Sequence, residues 1–181
     1  LEMKLVILDR DGVINKDSVH SIKSPEEWIP IEGSLEAISL LNKNGYTVVV
    51  ATNQSAIGKK LINNATLDKI HKKMQDLLKT KKAKIDKIFY CPHVEKDNCI
   101  CRKPKTGLMQ KIKGHYNISL EKIPAIGDSA RDLEAYSKSE AQPILVRTGN
   151  GKDVEESKSY PSGTLIFDNL LAVSKFIIKM E

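Results

Sequence analysis

The sequence predicts an α/β fold whose helices cover both faces of a mainly parallel central sheet. Three observations predict it. Short apolar stretches rich in Val and Ile, each bounded by Gly, Pro, Asn or Asp, recur along the chain, and such runs suit strands buried on both faces. Between them, longer stretches carry Leu, Ile and Ala at three- and four-residue spacing, the period of a helix packed on one face. The two kinds of stretch alternate, and alternation builds a parallel sheet between two helical layers.

Taken in order, strands are expected at 4–8, 47–51, 87–90, 124–126, 144–146 and 164–167, and helices at 34–44, 65–79, 130–139 and 169–180. The sum is a Rossmann-like three-layer sandwich. With no internal repeat or linker in sight, residues 1–181 are expected to form a single domain, long enough to bury most of its apolar surface around one core. In this layout ligands bind in the crevice beyond the carboxyl ends of the strands.

Composition narrows the classes. No apolar run approaches the roughly 20 residues of a membrane span, and the start lacks a basic region followed by an apolar segment, so no membrane partner and a cytoplasmic location are expected. The net charge of +6 comes from 25 lysines against four arginines. Lysines such as Lys69, Lys72, Lys73, Lys79, Lys81 and Lys82 are scattered over helical stretches, as on a solvated face. Aromatics make up only 5% of the chain, too few for a stacking platform, so no nucleic-acid partner is expected. Arg10, Arg102, Arg131 and Arg147 stand out in a chain that otherwise uses lysine, and a planar fork is expected to matter where they sit.

Residues just after the strands share the crevice, and they are chemically rich: Asp9-Arg10-Asp11-Gly12, Thr52-Asn53-Gln54-Ser55, Arg102-Lys103-Pro104 and Gly127-Asp128-Ser129. One aspartate after a strand is more often a turn former or helix cap. Several acids converging from separate strands need a cation between them, and an all-oxygen set suits Mg²⁺, with Asp9, Asp11 and Asp128 as its ligands. The three cysteines, Cys91, Cys99 and Cys101, fall within eleven residues, an odd number that cannot all pair as disulfides. With His93 they offer three thiolates and an imidazole, a closed tetrahedral set for a structural Zn²⁺ in a loop over 91–101. A loop clamped in this way would hold Lys103 over a phosphate. His20, His71 and His115 lack such company and are expected at the surface or partly packed.

In chain order, Asp9-x-Asp11-Gly12-Val13-Ile14, Thr52-Asn53, Lys103 and Gly127-Asp128-x-x-x-Asp132 resemble the four motifs of the haloacid dehalogenase superfamily phosphatases, over nearly the whole chain. The resemblance implies a magnesium-dependent phosphatase working through an aspartyl-phosphate. Asp9 would be the nucleophile, Asp11 the general acid and base, Thr52 and Lys103 the phosphoryl stabilisers, and Asp128 a magnesium ligand. The chemistry fits: an acyl phosphate splits one hard displacement into two easier ones, and a carboxyl two residues on can serve the leaving oxygen and then the water. Asp132, one helical turn beyond Asp128, either supports the metal site from behind or stabilises the helix start. By the family's pattern, Asp17, Ser18, Thr52, Asn53, Gln54, Ser55, Arg102, Lys103 and Ser129 would touch substrate.

Only 40 residues separate Asp11 from Thr52, enough for one loop, one helix and one strand but no cap domain, so the site should be open, bordered by residues 15–31 and the zinc loop. Within the superfamily the combination is similar to two groups that use a zinc loop, the phosphatases of a heptose bisphosphate in lipopolysaccharide core synthesis and those of histidinol phosphate. The five residues between His93 and Cys99 are similar to the histidinol type. A bisphosphate brings a second dianion for Arg102, Lys59 or Lys60, whereas histidinol phosphate brings an ammonium they would repel. A phosphorylated sugar acted on by a monomer is therefore the expected pairing.

Overall fold

In the computed structural model, which describes residues 2–180, six strands and six helices alternate. They are β1 Leu5–Leu8, α1 Ser34–Lys43, β2 Thr47–Asn53, α2 Asn64–Thr80, β3 Lys87–Cys91, α3 Gly107–Tyr116, β4 Pro124–Gly127, α4 Ala130–Lys138, β5 Gln142–Val146, α5 Gly151–Ser157, β6 Leu165–Phe167 and α6 Leu170–Lys179. The described strands form one parallel sheet in the order β3-β2-β1-β4-β5-β6. Strand order therefore reverses at β1, and β1 and β4 flank the crevice where such folds bind ligands.

Side chains of one strand point alternately to the two faces. In β1, Val6 and Leu8 pack with α1, α2 and α6 through Ile38, Ile70, Met74 and Val173, while Leu5 and Ile7 pack with α3 and α4 through Leu108, Ile112, Leu133 and Tyr136. All four β1 side chains are buried, each worth about 1.5–3 kcal/mol. Strand β1 is thus fixed from both sides, and residue 9 leaves it at a defined point. Helix starts follow local chemistry: the side chains of Asn63, Ser129 and Asn169 cap α2, α4 and α6 by accepting from backbone amides three residues on.

Two differences from the sequence reading are informative. Strand β2 runs on to Asn53, which pairs in register with Cys91, so Thr52 and Asn53 end the strand instead of opening a loop. Helices α3 and α5 were not among the expected helices. The first buries a short apolar face of Leu108, Met109 and Ile112 but also holds Gly107 and Gly114, which weaken a helical reading, and the second has Val154 as its one large apolar residue. Among the described residues, no helix is long and apolar enough to cross a membrane.

Candidate active site

The site begins where β1 ends. The Asp9 amide still bonds to the Ile126 carbonyl at 2.9 Å, so the carboxylate stands on the sheet itself. Beyond it the chain turns tightly, with Ile14 N donating to Arg10 O at 2.8 Å and Gly12 N to Asn15 O at 2.7 Å. Gly12 and Gly149 both have positive φ, and a Cβ on either would run into the Asp128 carboxylate. Glycine at these two positions is what lets that acid sit between the two loops. Asn150 holds the acid from the far side, donating to Asp128 Oδ2 from its backbone amide at 2.9 Å and from its side chain at 3.3 Å.

Lys103 lies under this cluster, almost wholly buried. Its ammonium is 3.1 Å from Asp9 Oδ1, 2.7 Å from Asp132 Oδ1 and 2.7 Å from the Ala51 carbonyl, which uses all three of its donors. Asn53 fixes the lysine backbone by donating to Lys103 O at 3.1 Å and accepting from Lys103 N at 3.0 Å. Asp132 has two tasks. One oxygen pairs with Lys103, and the other accepts from the Asp128 and Ser129 amides at the start of α4, where a carboxylate is favoured.

The charges follow from this geometry. Burial opposes ionisation of Asp132, but the nearby Lys103 outweighs it and holds that carboxyl below its usual range. Asp9, farther from the lysine, is raised to about 7 by burial and then by Asp132. Asp128 is raised to about 9 by burial, then by Asp132 and Asp9. Such upward shifts mark an excess of negative charge that a bound cation would neutralise.

Asp11 behaves differently. Its carboxylate receives Arg10 Nε at 2.8 Å and Asn15 Nδ2 at 2.9 Å on Oδ1, and Gln54 Nε2 at 3.2 Å on Oδ2. Burial raises its pKa, but Arg10 and these donors together leave it lowered. The expected metal set of Asp9, Asp11 and Asp128 therefore differs from the trio that the fold gathers. Among the described residues, Asp9, Asp128 and Asp132 place oxygens within 4.8 Å of one another, while Arg10, Asn15 and Gln54 draw the Asp11 side chain elsewhere.

A polar cavity of about 240 Å³ opens above these acids. Asp9, Asp11, Asp17, Ser18, Thr52, Asn53, Gln54, Ser55, Arg102, Lys103, Asp128 and Ser129 all line it, so the residues expected to act on or touch substrate converge there, whereas Arg10, Gly12, Pro104 and Gly127 do not reach it. Lys59 lines it too, but Lys60 does not. Arg131 and Asn150 also line it and were missed as site residues. Arg131 gave only its residue type as a signal, and Asn150, just before α5, gave none. Arg147 is not a cavity residue: it forks onto Glu155 at 2.9 Å and reaches Asp168 at 2.8 Å, bracing β5 to its neighbours. His71, expected to lack company, is buried and lies 3.1 Å from Arg10.

At the sheet edge, Cys91, His93, Cys99 and Cys101 form a second group whose ligand atoms lie within 4.8 Å. Cys91 Sγ is 3.6 Å from both Cys99 Sγ and His93 Nδ1, and Cys101 Sγ is 3.4 Å from His93 Nδ1. Ligands about 2.3 Å from a tetrahedral zinc stand about 3.8 Å apart, so these edges fit. The Cys91–Cys101 edge, at 2.8 Å, is shorter than that and longer than a disulfide of about 2.05 Å. Burial and Cys101 push the Cys91 thiol up to about 12. For Cys99 burial acts upward, yet the Arg102 amide and Cys91 bring it down to about 6.

Comparison with known proteins covers both regions. The family described as polynucleotide kinase 3 phosphatase matches residues 4–158. The D-glycero-beta-D-manno-heptose-1,7-bisphosphate 7-phosphatase of Pseudomonas putida is 49% identical over 176 residues, 97% of this chain and 100% of that protein. The chain belongs to the heptose-bisphosphate phosphatase family. The enzyme of the same name from Neisseria meningitidis serogroup A is 45% identical over 98% of this chain and 96% of its own. The crystal structure of D,D-heptose 1,7-bisphosphate phosphatase from B. bronchiseptica, complexed with magnesium and phosphate, superposes with a TM-score of 0.98 at 45% identity, covering 99% of this chain and 100% of that one. The matched stretches span the segments that carry the acids and the Cys/His loop.

Proposed function

We propose that this chain is a magnesium-dependent phosphatase that removes the 7-phosphate of D-glycero-D-manno-heptose 1,7-bisphosphate through an aspartyl-phosphate on Asp9, for lipopolysaccharide core heptose synthesis. It acts in the cytoplasm as a monomeric single domain over residues 1–181. One observation carries the chemistry: Asp9 stands at the floor of a polar cavity, 3.1 Å from the Lys103 ammonium, with Asp11 lining the same cavity. The substrate rests on the relatives, whose printed activity is that of a heptose-bisphosphate 7-phosphatase.

Asp9 attacks phosphorus, and Lys103, turning one of its three donors away from Asp9, holds the equatorial oxygens with Thr52 as charge spreads over them. Asp11 protonates the departing sugar oxygen and then takes a proton from the water that cleaves the acyl phosphate. At rest Arg10 keeps Asp11 ionised, and the negative charge of an arriving phosphate favours its protonation. Asp9 and Asp128 would hold Mg²⁺ between carboxylate oxygens, with Asp11 kept beside them by Arg10. Mg²⁺ bound there would neutralise phosphoryl charge. Asp17, Ser18, Asn53, Gln54, Ser55, Arg102 and Ser129 contact the sugar bisphosphate, with Arg102 on the distal phosphate. Cys91, His93, Cys99 and Cys101 hold a structural Zn²⁺.

The match to the polynucleotide 3-phosphatase family supports a second reading, a phosphatase of nucleic-acid ends. A phosphate-release assay over heptose 1,7-bisphosphate, histidinol phosphate and a 3′-phosphorylated oligonucleotide separates the readings. The highest kcat/KM is expected on the heptose bisphosphate, and a preference for either other substrate replaces the sugar assignment.

A further inference from the structure

Arg10 is completely buried, and a buried guanidinium is a costly way to fill space that an apolar side chain would fill more cheaply. Its surroundings show what it does instead. Asp11 Oδ1 lies 2.8 Å from both Nε and Nη2, the first as a hydrogen bond and the second as an ion pair without hydrogen-bond alignment. The other arm, Nη1, lies 3.1 Å from Nε2 of His71 on α2, sixty-one residues along the chain.

A guanidinium has no acceptor, so His71 Nε2 must be the acceptor and the ring proton must sit on Nδ1. That tautomer belongs to a neutral ring. Burial first and the Arg10 charge second push the His71 pKa down to about 3, which keeps the ring neutral at working pH. Helix α2 thus reaches the turn after β1 by a chain of His71, Arg10 and Asp11, and Asn15 and Gln54 complete the grip on the same carboxylate.

We propose that His71 is a positioning residue: by accepting from Arg10 it fixes the plane of the fork that aims the Asp11 carboxyl. The inference rests on the acid–base role given to Asp11 above. His71 touches neither substrate nor metal, and it acts only through Arg10.

Acid catalysis matters for a poor leaving group and little for a good one, so leaving-group dependence separates positioning from general damage. The quantity to measure is kcat/KM of the metal-loaded enzyme, which reports steps up to departure of the leaving group. Heptose bisphosphate supplies the alkoxide leaving group, and p-nitrophenyl phosphate the phenolate. His71→Ala is expected to lower kcat/KM about 10–100-fold on the sugar substrate and under about threefold on the aryl substrate. His71→Gln, whose amide oxygen can accept from Arg10, should recover most of the loss. His71→Met keeps the volume without an acceptor suited to Arg10, and it stands in for His71→Ala if that variant does not fold. Equal losses on both substrates, or no loss, overturn the proposal, as does failure of His71→Gln to recover beyond His71→Met. Asp11→Asn is the control. If it leaves sugar turnover intact, the role of Asp11 is wrong and the inference falls with it, whereas an inactive Asp11→Asn beside an unaffected His71→Ala overturns the inference alone.

Discussion

The acids of the cavity sit at the ends of β1 and β4, in the middle of the sheet, whereas the Cys/His group sits on residues 91–101 beyond β3, at its edge. In the centre, Asp9 is still in the ladder, Asp128 is wedged between two glycine turns, and Asp132 caps a helix. At the edge, the loop after Cys91 has one 3-10 turn, Glu95–Asp97, and a left-handed Asn98, and it leaves Ile100 80% exposed. Backbone hydrogen bonds therefore place the central acids before any ion arrives. The edge loop is tied down at its ends, by Gly58 N to Pro92 O at 2.8 Å and Gly107 N to Ile100 O at 2.9 Å, and between them its four Cys and His side chains meet at one point, a set that would suit a metal. Lys103 belongs to both, two residues past Cys101 and buried beneath Asp9.

The sharpest way to break the contrast is Asp9→Asn. Turnover should fall by at least about 10³-fold, since an amide forms no acyl phosphate. The melting temperature should hold, because burial and Asp132 already disfavour the charge that is removed. Retained turnover, or a collapse in thermal stability, would mean that the centre is not a preformed site. Stripping zinc is the corresponding test of the edge. Metal analysis should find zinc in the native protein, and its removal should lower the melting temperature and expose residues 91–101 to proteolysis, while Asp9 and Asp128 still bind Mg²⁺. A zinc-free native protein would undo the contrast.

Arg102 lies between the two regions, with its amide 3.3 Å from Cys99 Sγ and its side chain on the cavity wall. Arg102→Ala should cost about 1.5–3 kcal/mol in kcat/KM on the heptose bisphosphate, and much less on a small monophosphate without a second dianion. The smallest effect is one of pH. His71 has a folded pKa near 3, below its usual 6.5, so the unfolded chain binds its proton first as pH falls. The stability tied to the neutral ring is present above the unfolded pKa and is lost as pH drops towards 3. His71→Gln should flatten the acid limb of a stability-against-pH profile between pH 6.5 and 4, read by denaturant unfolding. An unchanged limb would place that titration elsewhere.

Legibility in the sequence followed range. Strands, capped helices, the residues at strand ends and the Cys/His spacing are written in neighbouring residues, and they were readable for that reason. Long-range geometry was not. Nothing beside Asn150 says that it will meet Asp128, and nothing near His71 says that Arg10 will reach it from sixty-one residues away. For Asp132 the sequence offers the helix start, written in nearby Ser129, or support of the metal site, but not its pairing with Lys103, which lies far off in the chain. The direction of Asp11 was hidden similarly, since Gln54 comes from another strand end.

Lys103 also sets an order of events in biosynthesis. Its ammonium joins Asp9 after β1, Ala51 in β2 and Asp132 in α4, three segments translated far apart. A nascent chain that has just emerged through β3 and the Cys/His loop already carries the nucleophile and the lysine, yet lacks Asp132 and the strand that closes the other side of β1. Its ammonium then has one carboxylate where the finished protein provides two. The lysine's full set of partners is therefore present only once α4 has been made and packed beside β4.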